Sequence, residues 1–469
     1  MTQQIDQTKV SKITNDRYRP RYHIATEGGW LNDPNGLCYF QGYYHVFYQY
    51  HPYSAEWGPM HWGHVRSKDL IHWEQLPVAL IPGDPEDTGG CFSGSAIVKN
   101  GRLYLIYTGH HYYGDGDLDH FWENQNVAYS DDGIHFTKYS GNPVISAPQD
   151  NSQDFRDPKV WEHDGKYYLV LGSREQKTNQ GRILLYRSPD LLHWQLQGTM
   201  LDTTTVKNTG KMLECPDFFH INGQDILLCS PMGLQATEKE FMNLSQVCYS
   251  VGELDYANGK FEGSDLQELD KGHNFYATQT FGAPDHRRIL IAWMSPFEEQ
   301  MAEKEDGWAG ILTLPRELQL ADGHLYNRPV SEVKDLRSHV DFTGELQLNG
   351  RHELTVADPQ HSEFNFEFTK SVNGEFNWQL EDHDGALVTV SYKDGELTLH
   401  RRGKDGYHYA KLPAGLKELQ IFVDTSSIEI FVNDGWVSLT DRYYATGTVS
   451  YHLISDQPTA LNVANYTLN

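Results

Sequence analysis

Along the first 320 residues apolar side chains come in short bursts, and no long helical period is present. The runs Gly42–Tyr48, Leu103–Tyr107, Lys166–Leu171, Ile183–Tyr186 and Ile289–Trp293 are rich in aromatic and β-branched residues and are bounded by Gly, Asp or Asn. That pattern predicts short strands. Beyond residue 330 the pattern changes to plain alternation, in Glu363–Thr369, Ala386–Tyr392, Glu396–His400, Leu419–Asp424 and Ser427–Val432. A period of two marks half-buried antiparallel strands, and Asp394-Gly395 and Asn433-Asp-Gly435 supply hairpin turns. The composition shift at Asn327-Arg-Pro-Val and the charged Ser331–Arg337 reads as a linker of a helical turn or two. The chain is predicted to be all-β, with a repeat domain over 18–327, a linker over 328–337 and a β-sandwich over 338–469.

Two phrases repeat through the first domain. Trp30-Leu-Asn-Asp-Pro-Asn-Gly36 has the composition of a tight turn, but similar marks follow it at a steady pace: Phe92 in Cys-Phe-Ser-Gly-Ser, Asp157 in Arg-Asp-Pro-Lys, Glu214 in Glu-Cys-Pro-Asp and Tyr276 in Phe-Tyr-Ala-Thr-Gln. From Asp33 onward the intervals are 59, 65, 57 and 62 residues. A second series keeps the same pace: Ser67-Lys-Asp-Leu-Ile-His-Trp73, Ser130-Asp-Asp-Gly-Ile-His-Phe136 and Ser188-Pro-Asp-Leu-Leu-His-Trp194. A fixed period in two independent phrases signals a repeat architecture. Five repeats of several strands predict a five-bladed β-propeller, in which equivalent positions converge on one axis. Asp33, Asp157 and Glu214 are then expected to meet, although more than a hundred residues separate the first two.

Composition narrows the function classes. A net charge of −26 argues against nucleic acid and anionic membranes as partners, both of which require a basic patch. Aromatic residues make up 13% of the chain; most suit sheet packing, and a minority at the channel mouth would suit a surface for sugars. The five cysteines (38, 91, 215, 229, 248) form no metal-binding spacing, and their odd number argues against a disulfide framework. With no apolar h-region at the N-terminus and no long apolar stretch, the expectation is a cytoplasmic protein with reduced thiols and no cofactor. Oligomeric state is left open.

These phrases resemble those of glycoside hydrolase family 32, the β-fructofuranosidases, over nearly the whole chain from Tyr18. WLNDPNG matches the nucleophile motif, with Leu31 where Met is commoner; FSGS (92–95), RDP (156–158) and EC (214–215) match its other signatures. Gly307–Arg316 resembles the segment that closes the propeller, and Ile421–Gly435 resembles the C-terminal sandwich. The resemblance implies Asp33 as the nucleophile at the anomeric C2 of fructose and Glu214 as the general acid, then base. That retaining scheme needs the two carboxyls about 5–5.5 Å apart, with Glu214 kept protonated by its acidic neighbours. Asp157 would bind fructose hydroxyls and stabilise the transition state, with Arg156 as its charge partner. Asn32, Gln49, Trp57, Phe92 and Ser93 would contact the fructosyl unit, and Trp30 and Trp293 would wall the pocket or pack in the core. The sequence departs from the family at Asn274, where Asp is usual. The phrases Met60–Ser67 and Gly90–Ile97 look most like those of bacterial intracellular enzymes acting on sucrose 6-phosphate, with Arg174 and Lys177 as candidates for a phosphate. Sucrose itself and short fructo-oligosaccharides stay open as substrates.

The same residues admit other readings. A related propeller glycosidase would release arabinose or xylose rather than fructose, and a non-catalytic fructoside-binding protein would be expected to have lost one of the three acids. Asp115, Asp117 and Asp119 lack the glycine and the final Glu of a calcium loop, and His61 and His64 lack a third metal ligand, so no metal is expected. Glu298 to Asp306 reads as a solvated loop near the leaving-group side.

Overall fold

The computed structural model describes residues 4–202, 210–294, 297, 299–403 and 406–469. Five antiparallel sheets stand in a ring. Each begins at the axis and steps outward through successive hairpins. The first blade runs Gly29–Phe40, Tyr43–His51, His61–Ser67 and Trp73–Gln75. The other four begin with the inner strands Gly90–Lys99, Asn151–His163, Met212–Ile221 and Tyr276–Gly282. Each inner strand touches the next, and the fifth touches the first, which closes the ring. Trp308–Ala309 joins the edge of the first blade as a parallel strand beside Gly29–Trp30.

The regular marks of the sequence lie inside these inner strands, so the turn suggested by Asn-Asp-Pro-Asn-Gly is not one. The ladder to the second strand slips at Leu31/Pro34, Phe92/Gly94, Arg156/Lys159, Glu214/Asp217 and Tyr276/Gln279. At each slip the inner strand carries one extra residue, which is a β-bulge. The residues that favour turns are used here to break a ladder. Asp157, Cys215 and Ala277 occupy the left-handed region, with φ of 65°, 45° and 52°. A non-glycine residue there costs about 1–3 kcal/mol, so the surrounding blades must impose the conformation.

The second series forms the corners between the third and fourth strands. In each the Asp takes the backbone N–H groups two and three residues on, and the His imidazole closes on its second oxygen. These are side-chain-capped turns made entirely from local groups.

After the last propeller strand, His324–Pro329, a 3₁₀ turn over Ser331–Leu336 leads into the second domain. Its strands form one ten-stranded sheet folded on itself. Arg337–Leu354 and Ser450–Leu468 are long enough to run through both layers: Ser450–Ser455 pairs with Glu375–Asp382, and Leu461–Thr467 with Ser362–Phe368. The alternating strands bury Phe364, Phe376, Trp378, Val390, Leu399, Ile421 and Ile430 between the layers. Asp394 and Gly395, at φ of 50° and 84°, make the predicted two-residue hairpin.

Candidate active site

The bulges decide which side chains reach the mouth of the axis. Asp33 is gripped on both oxygens: Ser93 Oγ donates to Oδ2 at 2.6 Å and Asn32 Nδ2 to Oδ1 at 3.0 Å. Asn32 is oriented by Trp30, whose Nε1 donates to Asn32 Oδ1 at 2.7 Å. Asp157 projects from the third blade, its own N–H donating to Thr108 Oγ1 at 3.0 Å and its Oδ2 accepting the Cys215 N–H at 2.9 Å. Cys215 Sγ lies 3.6 Å from Oδ2 of both Asp33 and Asp157. One thiol thus bridges the first, third and fourth blades.

Glu214 completes the group. Arg156 donates to its Oε1 from Nε (3.1 Å) and Nη2 (2.8 Å), and the Tyr276 hydroxyl lies 2.5 Å from its Oε2. Arg156 is itself held by Asp154 at 2.8 Å and Glu123 at 3.2 Å. Burial alone would raise the Glu123 carboxyl; Arg156, His110 and the Phe155 amide reverse this and hold it below its ordinary value. Burial raises the carboxyls of Asp33 and Asp157. At Asp33 the Ser93 and Asn32 hydrogen bonds oppose the rise, and at Asp157 the Arg156 charge opposes it. The proximity of Glu214 raises both further.

Past the bulges the axis is filled. Lys159 Nζ donates to Asp217 Oδ2 at 2.9 Å and to the Thr280 carbonyl, and Gln279 Nε2 donates to the Gly94 carbonyl at 2.7 Å. The site is therefore open at one end only.

The predicted wall residues divide. Phe92 lies flat on His110 (centroids 4.1 Å, 4°) with Trp57 edge-on to it at 5.9 Å, and Trp57 is exposed. Gln49 is buried and commits its amide to the Cys91 carbonyl at 3.0 Å. Trp293 has no exposed surface and packs edge-on behind Trp30 at 5.9 Å, so it backs the wall and does not face a ligand. Its position at a strand end could not reveal that Phe297 and Trp30 cover it.

Several expectations change. Glu303 and Asp306 are buried in a 3₁₀ turn, not solvated: Arg442 pairs with Glu303 at 3.0 Å and Arg17 with Asp306 at 2.9 Å. Glu298 lies outside the described residues. Arg174 is committed to Asp154 at 2.5 Å and Ser152 at 3.1 Å, which draws it into the Arg156 cluster, and Lys177 is exposed. Asp115 pairs with His120 at 2.5 Å, and His64 with His45 at 2.9 Å. Among the described residues no cluster of His, Cys, Asp or Glu is placed to hold a metal ion, and no helix is long and apolar enough to cross a membrane. Sequence reasoning missed Tyr276, Glu123, Asp154 and Thr108. Only Tyr276 carried a signal, as the fifth mark of the periodic series.

Carboxylates gathered at the mouth of a plugged propeller, braced by an arginine and flanked by aromatic faces, define a glycoside hydrolase. Residues 23–329 match the model of the glycosyl hydrolases family 32 N-terminal domain and residues 332–467 that of the family 32 C terminal, so the chain belongs to this family. It is similar to the sucrose-6-phosphate hydrolase of Zymomonas mobilis (41% identity, covering 93% of this chain and 89% of that one). It is also similar to the raffinose invertase of Escherichia coli (40%, 93% and 91%). Among solved structures, a GH32 β-fructofuranosidase of Bombyx mori superposes with a TM-score of 0.87 at 38% identity, covering 99% of this chain and 96% of that one. The sucrose-6-phosphate hydrolase of Lactobacillus gasseri gives the same TM-score at 31% identity, with 97% and 94% covered.

Proposed function

We propose that this chain is a retaining β-fructofuranosidase that removes the terminal β-D-fructofuranosyl unit of sucrose 6-phosphate or sucrose. One observation carries the reading: Asp33, Asp157 and Glu214, from three blades, are drawn into one cluster through Cys215 and Arg156. In the first step an oxygen of Asp33 bonds to C2 of fructose while the C2–O glycosidic bond breaks, and the proton of Glu214 passes to the departing oxygen. In the second, Glu214 takes a proton from water, the water oxygen bonds to C2, and Asp33 leaves as carboxylate. Ser93 and Asn32 hold Asp33 in one rotamer for attack. Asp157 handles no proton; it accepts hydrogen bonds from the fructose hydroxyls that strengthen as charge builds at the ring. Trp57 and Phe92 edge the pocket that takes the sugar, while Trp30 is buried against Phe297 and acts through Asn32.

The relatives support the substrate class. Several are named sucrose-6-phosphate hydrolase and one raffinose invertase, and the Bombyx mori structure has a counterpart in complex with sucrose. Five free cysteines fit a reducing, cytoplasmic setting. The experiment is a comparison of initial rates on sucrose and sucrose 6-phosphate across concentration, with methanol as competing acceptor. Fructose release with methyl β-fructofuranoside as the sole transfer product is expected; the α product, or no fructose from either sugar, defeats the reading. A higher kcat/KM on the ester assigns sucrose 6-phosphate as the substrate, and an equal or lower one assigns sucrose.

A further inference from the structure

A buried polar seam joins the sandwich to the propeller. In its middle Arg316, fully buried, meets Glu429 and Asp270, and His23 sits between Asp424 and Glu429 at 2.8 Å from each. At one end of the seam two sandwich arginines reach past the interface toward the site. Arg401 Nη1 donates to Asn274 Oδ1 at 2.5 Å, and its Nη2 pairs with Glu299. The Arg442 backbone N–H donates to the same Asn274 oxygen at 2.9 Å, and its guanidinium pairs with Glu303. With its oxygen doubly occupied, the Asn274 amide has a single orientation, and its Nδ2 donates to Glu299 Oε2 at 2.7 Å. Asn274 has no exposed surface.

Both ends of this knot lead to catalytic groups within a few residues. Two residues after Asn274 is Tyr276, whose hydroxyl meets Glu214. Two residues before Glu299 is Phe297, whose ring stacks on Trp30 at 5.9 Å and 17°. Lys304, next to Glu303, places its ammonium 5.0 Å over the same Trp30 ring. Trp30 in turn orients Asn32, which holds Asp33. We infer that Arg401 and Arg442 are positioning residues for the fructosyl site, and that the Asn274–Glu299 hydrogen bond is the joint through which the sandwich sets the places of Glu214 and Asp33. The inference rests on the fructosidase reading for its kinetics, not for its geometry. It also gives the Asn at 274 a reason: beside Glu299 this position must donate a hydrogen bond, which an ionised Asp cannot do.

The test exchanges donor and acceptor across the joint in the full-length chain. Asn274→Asp faces two carboxylates across one hydrogen-bond distance. It is expected to lower kcat about tenfold, as small misplacements of reacting groups do, and to speed amide exchange in peptides covering 276–279 and 299–306. The double variant N274D/E299Q restores a bond of reversed polarity. It should recover kcat to within about threefold, a coupling of the size seen for residues in one network, and should recover the exchange protection. A folded double variant that recovers neither overturns the inference, as does an N274D with unchanged kcat. If N274D does not fold, Arg401→Lys serves in its place, since it keeps the charge but not the fork to both partners. A lower kcat at an unchanged melting midpoint supports the positioning role, and an unchanged kcat overturns it. A wild-type chain that releases no fructose would defeat the functional reading alone; the exchange data would still decide the coupling.

Discussion

The two periodic series in this propeller occupy equivalent places in successive blades, yet they have diverged in opposite ways. At the outer corners the same Ser, Asp and His recur at Ser67/Asp69/His72, Ser130/Asp132/His135 and Ser188/Asp190/His193. Each Asp receives the second amide at 2.9, 2.8 and 2.9 Å and the imidazole at 2.8, 2.7 and 2.7 Å. At the inner bulges the geometry recurs but the residues do not: Asp33, Ser93, Asp157, Cys215 and Ala277 stand at the slips. Repetition of identical side chains with local partners builds the scaffold. Repetition of a backbone device with different side chains builds a site, because one ring of equivalent positions can then hold carboxylates, a hydroxyl and a thiol that face one another.

Asp33 and Asp157 respond to pH in the opposite sense to Asp69 and Asp190. Burial raises Asp33 and Asp157, so the folded chain holds their protons more tightly than the unfolded chain. Their contribution to stability therefore falls as pH rises through the interval above the ordinary carboxylate value. At the corners burial would raise Asp69 and Asp190, but the amides and imidazoles of His72 and His193 prevail and bring both to about 2. Their stabilisation is complete above the ordinary value of 3.8 and is lost as pH falls toward about 2.

The contrast can be broken at its strongest point first. Asp33→Asn should lower turnover by about 10⁴-fold or more with its melting midpoint retained; turnover within tenfold of wild type would remove Asp33 from the nucleophile's role. Next, Asp157→Asn should cost about 10²–10³-fold in kcat while raising stability near neutral pH by about 1 kcal/mol. A pH series of denaturant midpoints should show that gain shrinking toward acid, and a gain that grows toward acid would reverse the assigned linkage. At the corners, Asp69→Ala should reduce stability by about 1 kcal/mol and leave kcat/KM unchanged; a kinetic effect would mean that the corners do more than shape the blade. Smallest of all, the difference in stability between wild type and Asp69→Ala should be flat above pH 4 and close progressively below it, as acid titration of the two proteins would record.

Much of this was readable before the structure, for reasons that differ from place to place. The strands at Tyr43–His51, Lys166–Glu175 and Ser427–Val432 announce themselves because a strand's period and its bounding turns are local properties. The convergence of the three acids followed from counting, since equal spacing in a closed ring means equal radius. The sequence pattern does not reveal the long strands Arg337–Leu354 and Ser450–Leu468. They change neighbours midway, so no single alternation describes them.

What the amino-acid sequence determines by itself is the blade count, the two-domain order, and the recurrence at one pace of the corner phrase and of the marks that carry Asp33, Asp157 and Glu214, because these depend on short-range patterns repeated along one chain. What only the tertiary structure decided is the use of Asn-Asp-Pro-Asn-Gly as a bulge, the burial of Trp293 behind Trp30, and the burial of Glu303 against an arginine 139 positions later. A bulge differs from a turn only in whether a partner strand continues past it, and a charge is solvated or buried according to what folds over it. Neither is written within a few residues of the group concerned.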